Sequence, residues 1–284
     1  MEKSYFQILP ALRKVSARLS ALDSSDFLED ELHYPSVHLL RTKSKMLRPS
    51  LVLLGAYAIG ERPEKFIDLA VASELIHVSS LIHDDIIDRD RKRRGVEAVH
   101  VRYGNPAAIL AGDALISKAV EIAAKYGRDT LESMSRATMS MCAGEALDYR
   151  YRKRNAVPGM AQYKRIAYLK SGALIGACWN AASVFRATRL SDRMYNAGSA
   201  LGIAFQIRDD IFDFIRSARR NPKHISSPNI VTSVQKDSGT DRYNAVARAV
   251  ELNNRYIDSS IRQLSDTREG SVLAAYSAFI RVAV

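Results

Sequence analysis

Apolar residues recur at helical spacing along almost the whole chain. Two of the stripes are Leu9, Leu12, Val15, Leu19 and Leu22, and Val71, Leu75, Val78, Ile82 and Ile86. Sustained alternation of apolar and polar residues, which is typical of strands, is absent from the sequence. No fixed-period repeat and no low-complexity linker divides it. The pattern therefore predicts an all-α fold class, with residues 1–284 forming a single-domain bundle of about ten helices.

Two of the predicted helices are apolar on most faces, and such helices belong in the middle of a bundle. They cover residues 66–88 and 192–214, and each ends in a cluster of acids. Asp84 and Asp88 lie one turn apart on one helical face, and Asp209 and Asp213 repeat the arrangement. One such cluster alone is as well explained by a solvated helix end. Two of them, each closing an apolar helix, favour a bound cation that relieves the repulsion between like charges.

The ligand type indicates which cation this is. Carboxylate oxygens without imidazole or thiolate partners suit a hard ion, and Mg²⁺ commonly binds one or two carboxylates while it bridges substrate phosphates. The net charge agrees with an anionic ligand: 42 Lys and Arg against 31 Asp and Glu give +11. The sign alone does not choose among phosphates, nucleic acid and a lipid surface.

Several basic residues stand where they would meet a diphosphate. Lys45 and Arg48 lie at a predicted helix N-terminus, because Pro49 fits a first helical position and backbone N–H groups there attract anions. Arg93 follows the first acid cluster, and a guanidinium binds phosphate oxygens bidentately. Lys170 is a further candidate. Taken singly, each is more often a solvated surface charge.

Other polar and sulfur-containing residues are less informative. His77 precedes the first acid cluster on the same helix and is either a core histidine or a ligand contact. The run Arg150, Arg152, Lys153 and Arg154 is interpreted as a basic face without an assigned partner. Cys142 and Cys178 lie in apolar helical patterns and are predicted to be reduced core residues. No stretch approaches the ~18 uninterrupted apolar residues of a spanning helix, so a cytoplasmic protein, at most peripheral to a membrane, is expected.

Together these residues resemble the trans-isoprenyl diphosphate synthase family, also called polyprenyl synthetases, from about residue 40 to 215. The matching elements are Lys45-x-x-Arg48-Pro49, Glu74-x-x-His77, Leu81-x-His83-Asp84-Asp85-x-x-Asp88, Arg93-Arg94-Gly95, Gly112-Asp113, Gly144-Glu145-x-x-Asp148, Lys170-Ser171-Gly172 and Phe205-Gln206-x-x-Asp209-Asp210-x-x-Asp213. Their order and spacing agree with the family throughout.

The resemblance implies an isoprenoid-synthase-type bundle, usually a homodimer, whose central cavity binds an allylic diphosphate through three Mg²⁺ ions. Asp84 and Asp88 would ligate two of these ions and Asp209 the third, with Asp213 in support. The implied reaction condenses isopentenyl diphosphate head to tail with the allylic diphosphate to give a trans-polyprenyl diphosphate.

The resemblance also implies roles for the basic and polar residues. Arg93 and Lys170 would bind the allylic diphosphate, and Ser171 keeps the hydroxyl of the family's Lys-Thr pair. Gln206 would present partial negative charge to the allylic cation. The residues that would bind isopentenyl diphosphate, without metal, are Lys45, Arg48, His77 and Arg94. The family's usual lysine after the second acid motif is missing, and Lys223 or Arg219 is the expected substitute.

Product length follows from the position of the first motif. The tail would run along the first motif helix toward its N-terminus, because the diphosphate is held at Asp84. Residues about one turn earlier would then form the floor of the tail site. Ser79 and Ser80 are small, so a product of C20 or longer is predicted, with Ile76 contributing to the next floor.

Three other functions are compatible with parts of the sequence. A class I terpene cyclase also ionises allylic diphosphates with magnesium, but it has no need of Lys45, Arg48 and His77 as a second basic site. A non-catalytic partner subunit of a heteromeric synthase would explain the altered segment after Asp213. A nucleic-acid binder fits the net charge alone, although no recognisable binding motif is present.

Overall fold

A computed structural model of the chain describes residues 2–220, 228–278 and 280–282. Within these residues the helices are α1 (Glu2–Ser20), α2 (Ser24–Phe27), α3 (Asp30–Val37), α4 (Leu47–Ala58), α5 (Ile67–Asp88), α6 (Val99–Tyr103), α7 (Asn105–Ala124), α8 (Arg128–Lys153), α9 (Met160–Ala167), α10 (Ala173–Phe185), α11 (Ser191–Arg220), α12 (Ile230–Ser238), α13 (Arg242–Arg262) and α14 (Arg268–Ser277). A 3₁₀ turn (Pro63–Phe66), a π-helical turn (Tyr168–Gly172) and a small antiparallel hairpin of β1 (Lys92–Arg93) and β2 (Val96–Glu97) complete them. The predicted all-α class is confirmed.

Contacts group the described residues into two compact units. The N-terminal unit consists of Glu2–Ser135 and Ala181–Thr188. The C-terminal unit consists of Arg136–Asn180 and the described part of Arg189–Val284. The interpretation of residues 1–284 as one domain stays a prediction.

The core of the N-terminal unit is built on α5, which packs against α4 and α7. Its predicted stripe is buried at Val71, Leu75, Val78 and Ile82. Gly112 brings α7 close to α5, because a Cβ at this position would lie 2.1 Å from His83 Nε2. This contact places α7 directly against the residue that precedes Asp84.

The core of the C-terminal unit is built on α11, which packs against α13 and the π-helical turn. Another glycine permits a second close approach: a Cβ at Gly144 of α8 would lie 2.7 Å from the backbone nitrogen of Lys170. Isolated π-helical turns interrupt the regular helical ladder and occur frequently at functional sites. Here the turn carries Lys170 and Ser171 and holds them against α8.

One helical stretch among the described residues, Pro63–Asp88, is long and apolar enough to cross a membrane by length and composition. Its most apolar window is 67% buried inside the protein. This burial is typical of a core helix, because the apolar surface of α5 packs against neighbouring helices.

The two cysteines differ in their surroundings. Both are free thiols, and Cys178 is buried as predicted. Cys142 is exposed on α8, so its assignment to the core is wrong. The apolar pattern around it belongs to a face of α8 that also exposes Met139. Helical spacing identifies an apolar face but does not show whether another element of the chain covers it.

Candidate functional site

The first acid motif forms the last turn of α5. Asp85 is fully buried, whereas Asp84 is half-buried and Asp88 is exposed. Arg93 donates from Nε to Asp85 Oδ1 at 2.7 Å, bonds the same oxygen through Nη2, and lies 3.0 Å from Asp90 Oδ2. Burial raises the pKa of Asp85, and the hydrogen bond from Arg93 opposes this rise. Asp85 therefore anchors the hairpin to α5, while Asp84 and Asp88 share a face one turn apart.

The hairpin places two arginines beside α5. Arg94 and Gly95 form its turn with φ of 52° and 85°, the left-handed values that two-residue hairpin turns require. Arg94 reaches back from this turn, with Nη2 3.5 Å from Glu74 Oε1 and Nη1 donating to the Leu39 carbonyl at 3.4 Å. Glu74 is itself buried in the middle of α5. The hairpin thus carries Arg94 to the helix that bears His77.

His77 is surrounded by positive charge. Its pKa lies well below the usual value because of burial and the nearby Arg48, Arg94 and Arg93, so the imidazole is neutral. Its buried Nδ1 has no hydrogen-bond partner among the described residues. Buried polar atoms are almost always hydrogen-bonded in proteins. A neutral imidazole with an unpaired nitrogen among guanidinium groups is suited to an anionic ligand.

Arg48 enters this cluster through the start of α4. The helix begins at Leu47, two residues before Pro49, after Met46 in the left-handed conformation. Arg48 is therefore in the first turn and is buried. Lys45 is exposed just before the helix. The predicted gathering of cations at a helix N-terminus is present, although Pro49 is the third helical residue and not the first.

The predicted chain-length residues lie on both sides of His77 on α5, before the acids. Ile76 and Ser79 are buried, and the Ser79 hydroxyl has no hydrogen-bond partner in the described part of the chain. Ser80 is half-buried and donates to the His77 carbonyl at 2.8 Å. Ser80 lies one turn before Asp84 on the same helical face. A tail that follows this face meets Ser80 first.

The second acid motif repeats the division of roles seen in the first. Asp210 is buried and accepts hydrogen bonds from Tyr163 Oη at 2.7 Å, Gln206 Nε2 at 2.8 Å and the Ile230 backbone at 3.1 Å. Burial raises the pKa of Asp210 to about 7, although these three donors oppose the rise. The side chains of Asp209 and Asp213 remain 44% and 70% exposed. The middle aspartate of each motif is thus a structural anchor, and the outer pair reaches solvent.

Gln206 is held at both ends of its amide. Nε2 donates to Asp210, and Oε1 accepts from Ser171 Oγ at 2.7 Å. The second lone pair of Oε1 is then oriented by two fixed contacts. Gln206 and Ser171 were both predicted as site residues, and they contact each other in the structure. It adds Tyr163, whose role in holding Asp210 had no signal in the sequence.

Lys170 lies in a cluster of four charged side chains. Its Nζ is 2.5 Å from Asp148 Oδ2 and 2.7 Å from Glu145 Oε2. Arg152 Nη2 is 2.5 Å from Glu145 Oε1 and 3.6 Å from Asp148 Oδ2. Burial alone would lower the pKa of Lys170, but the two carboxylates raise it. Arg152 therefore does not belong to the basic face without a partner to which it was assigned from the sequence. Its i,i+4 spacing from Asp148 was the sequence signal that could have predicted this ion pair.

The pH dependence of protein stability should show the raised pKa of Asp148. Burial raises its pKa to about 6 from 3.8, against the opposing effect of Lys170. Between these values the folded protein holds a proton that the unfolded chain releases, so this group lowers the free energy of unfolding as pH rises from about 4 to 6. Its contribution should be on the order of 2–3 kcal/mol. Chemical denaturation across pH 4–8 should therefore show a flatter profile for Asp148→Asn, and an unchanged slope would contradict this assignment.

The outer aspartates fit a divalent ion that is bound mainly through its ligand. In the described residues no group of three or more His, Cys, Asp and Glu side chains converges as a metal site. Each motif instead offers two oxygen-ligand side chains one turn apart, which suits an ion that completes its shell with water and phosphate oxygens. Lys223 lies outside the described residues, as does the side chain of Arg219, so the residue expected to replace the family's lysine has no assigned position.

Comparisons with known proteins show which family the chain is similar to. The profile of the family described as Polyprenyl synthetase matches residues 29–227. The short chain isoprenyl diphosphate synthase of Methanothermobacter thermautotrophicus is 34% identical over 82% of this chain and 79% of its own length. The geranylgeranyl diphosphate synthase of Methanosarcina mazei is 38% identical over 65% of this chain and 59% of its own. The solved geranylgeranyl pyrophosphate synthetase of Geoglobus acetivorans superimposes with a TM-score of 0.86 at 26% identity, covering 97% of this chain and 99% of that one.

Proposed function

The chain belongs to the polyprenyl synthetase family, and from this premise we propose that it is a prenyltransferase that extends an allylic diphosphate with isopentenyl diphosphate. The product is a trans-polyprenyl diphosphate of C20 or longer. The observation that carries the proposal is the buried Nδ1 of His77, which has no hydrogen-bond partner among the described residues and lies on the same helix as Asp84 and Asp88. Arg94 reaches this helix one turn earlier, at Glu74. A metal-independent anion site beside a carboxylate pair is what a reaction between two diphosphates requires.

The basic cluster is assigned to isopentenyl diphosphate. Arg48 and Arg94 supply fixed positive charge, and guanidinium groups bind phosphate oxygens bidentately. The neutral His77 is able to donate one N–H without adding charge. Lys45, exposed ahead of α4, extends the cluster toward solvent. The buried, charged setting supports binding of this diphosphate without a metal ion.

The outer aspartates are assigned to divalent ions held together with the allylic diphosphate. Asp84 and Asp88 would hold two Mg²⁺ ions and Asp209 a third, with Asp213 in support. Such ions neutralise the charge that develops on a departing diphosphate. Arg93, which Asp85 keeps in place, and Lys170 supply further positive charge.

The remaining residues act on the carbon chain. The allylic C–O bond breaks, the double bond of isopentenyl diphosphate forms the new C–C bond, and a proton leaves to the released diphosphate. Gln206 Oε1, oriented by Ser171 and Asp210, presents partial negative charge to the allylic cation. The reaction also requires that water be excluded, because water would otherwise quench the cation.

The direct test is an elongation assay. Purified protein is incubated with Mg²⁺, labelled isopentenyl diphosphate and, in turn, allylic diphosphates of increasing length, and the products are resolved by chain length. Elongated diphosphates that disappear on addition of a chelator support the proposal. A cyclic hydrocarbon would identify a terpene cyclase. The absence of any product would favour the partner subunit or the nucleic-acid binder.

Chain length should respond to the residues one turn before Asp84. Ser80→Phe places a ring on the helical face that carries Asp84, so we expect the main product to shorten by at least one isoprene unit. Ser79→Phe tests the neighbouring position, where the buried hydroxyl has no partner. Liquid chromatography of dephosphorylated products measures the change. If both variants gave the same product distribution as the wild type, Ser79 and Ser80 would not form the floor of the tail site.

We also propose that the protein is a cytoplasmic homodimer. Exposed apolar residues on two helices support an interface, because such patches commonly mark association surfaces. They are Ile109, Leu110 and Val120 on α7, and Met139 and Tyr149 on α8. Light scattering on the purified protein measures the oligomeric state.

A further inference from the structure

The charged cluster around Lys170 contains a second cation that the proposed reaction does not use. Lys170 and Arg152 alternate with Glu145 and Asp148, so that each carboxylate lies near both cations. The side chains are between 10% and 24% exposed. Water and salt screen charges weakly at such burial, so the balance of charge within the cluster governs what it attracts.

We propose that Arg152 is a positioning residue for diphosphate binding, because it neutralises Glu145 and Asp148 and leaves Lys170 to face the anion. This inference rests on the proposed function, from which the diphosphate is taken to be the allylic substrate. Two carboxylates against Lys170 alone carry a net negative charge. Arg152 brings the sum to zero, and the approach of a diphosphate is then no longer opposed.

The contacts of Lys170 and Arg152 support these two roles, in which Lys170 binds the diphosphate and Arg152 neutralises the carboxylates. Lys170 has three N–H donors, and two are directed at Asp148 and Glu145. These contacts use two of the three donors, and the third is the one that we assign to the diphosphate. Arg152 holds Glu145 through Oε1, so that Oε2 turns to Lys170. The carboxylates thus fix the direction of the ammonium group, and Arg152 limits their charge.

Binding measurements with matched variants test this role. Isothermal titration with farnesyl thiolodiphosphate, which binds without ionising, should show the dissociation constant of Arg152→Met raised about tenfold. The dissociation constant of isopentenyl diphosphate should stay unchanged. Arg152→Lys keeps the charge and should bind like the wild type. Arg150→Met removes the same charge from an exposed residue of α8 and should also have no effect.

A double variant separates charge balance from a structural role. Asp148→Asn combined with Arg152→Met returns the cluster to zero charge with Lys170 intact, so affinity for the allylic analogue should recover to within about threefold. Absence of this recovery would overturn the charge-balance role, whereas a purely structural Arg152 predicts that the affinity for isopentenyl diphosphate falls in Arg152→Met and recovers in parallel. Equal loss of affinity for both diphosphates, or no loss in Arg152→Met, would also overturn the proposal.

Binding of inorganic pyrophosphate tests the role of Arg152 separately from the proposed prenyltransferase activity. Pyrophosphate binds through charge alone and needs no prenyl group. A protein that elongates no chain, yet loses pyrophosphate affinity about tenfold in Arg152→Met, supports the role of Arg152 and overturns the prenyltransferase. An active synthase whose Arg152→Met variant binds pyrophosphate normally overturns the role of Arg152 alone.

Discussion

Asp84→Asn should lower kcat for chain elongation on the order of 10³-fold, because it removes an anionic ligand from the proposed metal site. The change keeps the shape of the side chain and relieves repulsion from Asp88 one turn away, so the fold should persist. Steady-state elongation at saturating Mg²⁺ measures kcat, and thermal unfolding measures stability. The loss should be seen at every allylic chain length, since it concerns the diphosphate and not the tail.

Asp85→Asn is the matched variant, one residue along the same helix. Asp85 is buried against Arg93, so this change should cost about 3 kcal/mol of stability, which is typical of breaking a buried ion pair. Its effect on kcat should be smaller than that of Asp84→Asn and should follow from displaced Arg93. If the two variants exchanged behaviour, with Asp84→Asn unstable and Asp85→Asn inactive but folded, the assignment of roles within the motif would be reversed.

The helical architecture could be predicted from the sequence, because helical periodicity depends on residues that are close together in the chain. The predicted stripe from Val71 to Ile86 has the period of a helix, and four of its five members are buried, whereas Ile86 is half-buried. Glycine and proline also stand where helices end or begin, as at Gly60–Pro63 and Gly104–Pro106, because these residues change the conformational freedom of the backbone. The hairpin around Gly95 was missed as a strand pair, since two residues on each side are too few to show alternation.

The different roles of the aspartates within each acid motif could not be predicted from the sequence. Asp84 and Asp85 are chemically identical, and only the packing of Arg93 against α5 makes one of them structural. The same holds for Asp210, whose partners Tyr163 and Ile230 are distant in sequence. Exposure is equally non-local, as Cys142 shows. Which residues carry charge to a ligand thus depends on contacts that the chain forms only after folding.

Lys170→Met should impair both stability and activity. It leaves Glu145 and Asp148 buried with Arg152 as the remaining cation of the cluster, and uncompensated buried charge costs about 3 kcal/mol. It also removes the ammonium group assigned to the allylic diphosphate, so kcat/KM should fall roughly 10²–10³-fold. Lys236→Met is the control, because this exposed lysine of α12 donates only to the Val157 carbonyl in the described contacts. It should retain the stability and activity of the wild type.

A second substitution separates the two effects of losing Lys170. In the Lys170→Met, Asp148→Asn double variant, Glu145 and Arg152 form a neutral pair, so most of the lost stability should return in chemical denaturation. Activity should not return, because no cation replaces the one that reaches the diphosphate. Recovery of kcat/KM together with stability would mean that Lys170 acts only by keeping α8 and the π-helical turn folded. Stability without activity is the expected result, since the carboxylates need a counter-charge whereas the diphosphate needs this particular donor.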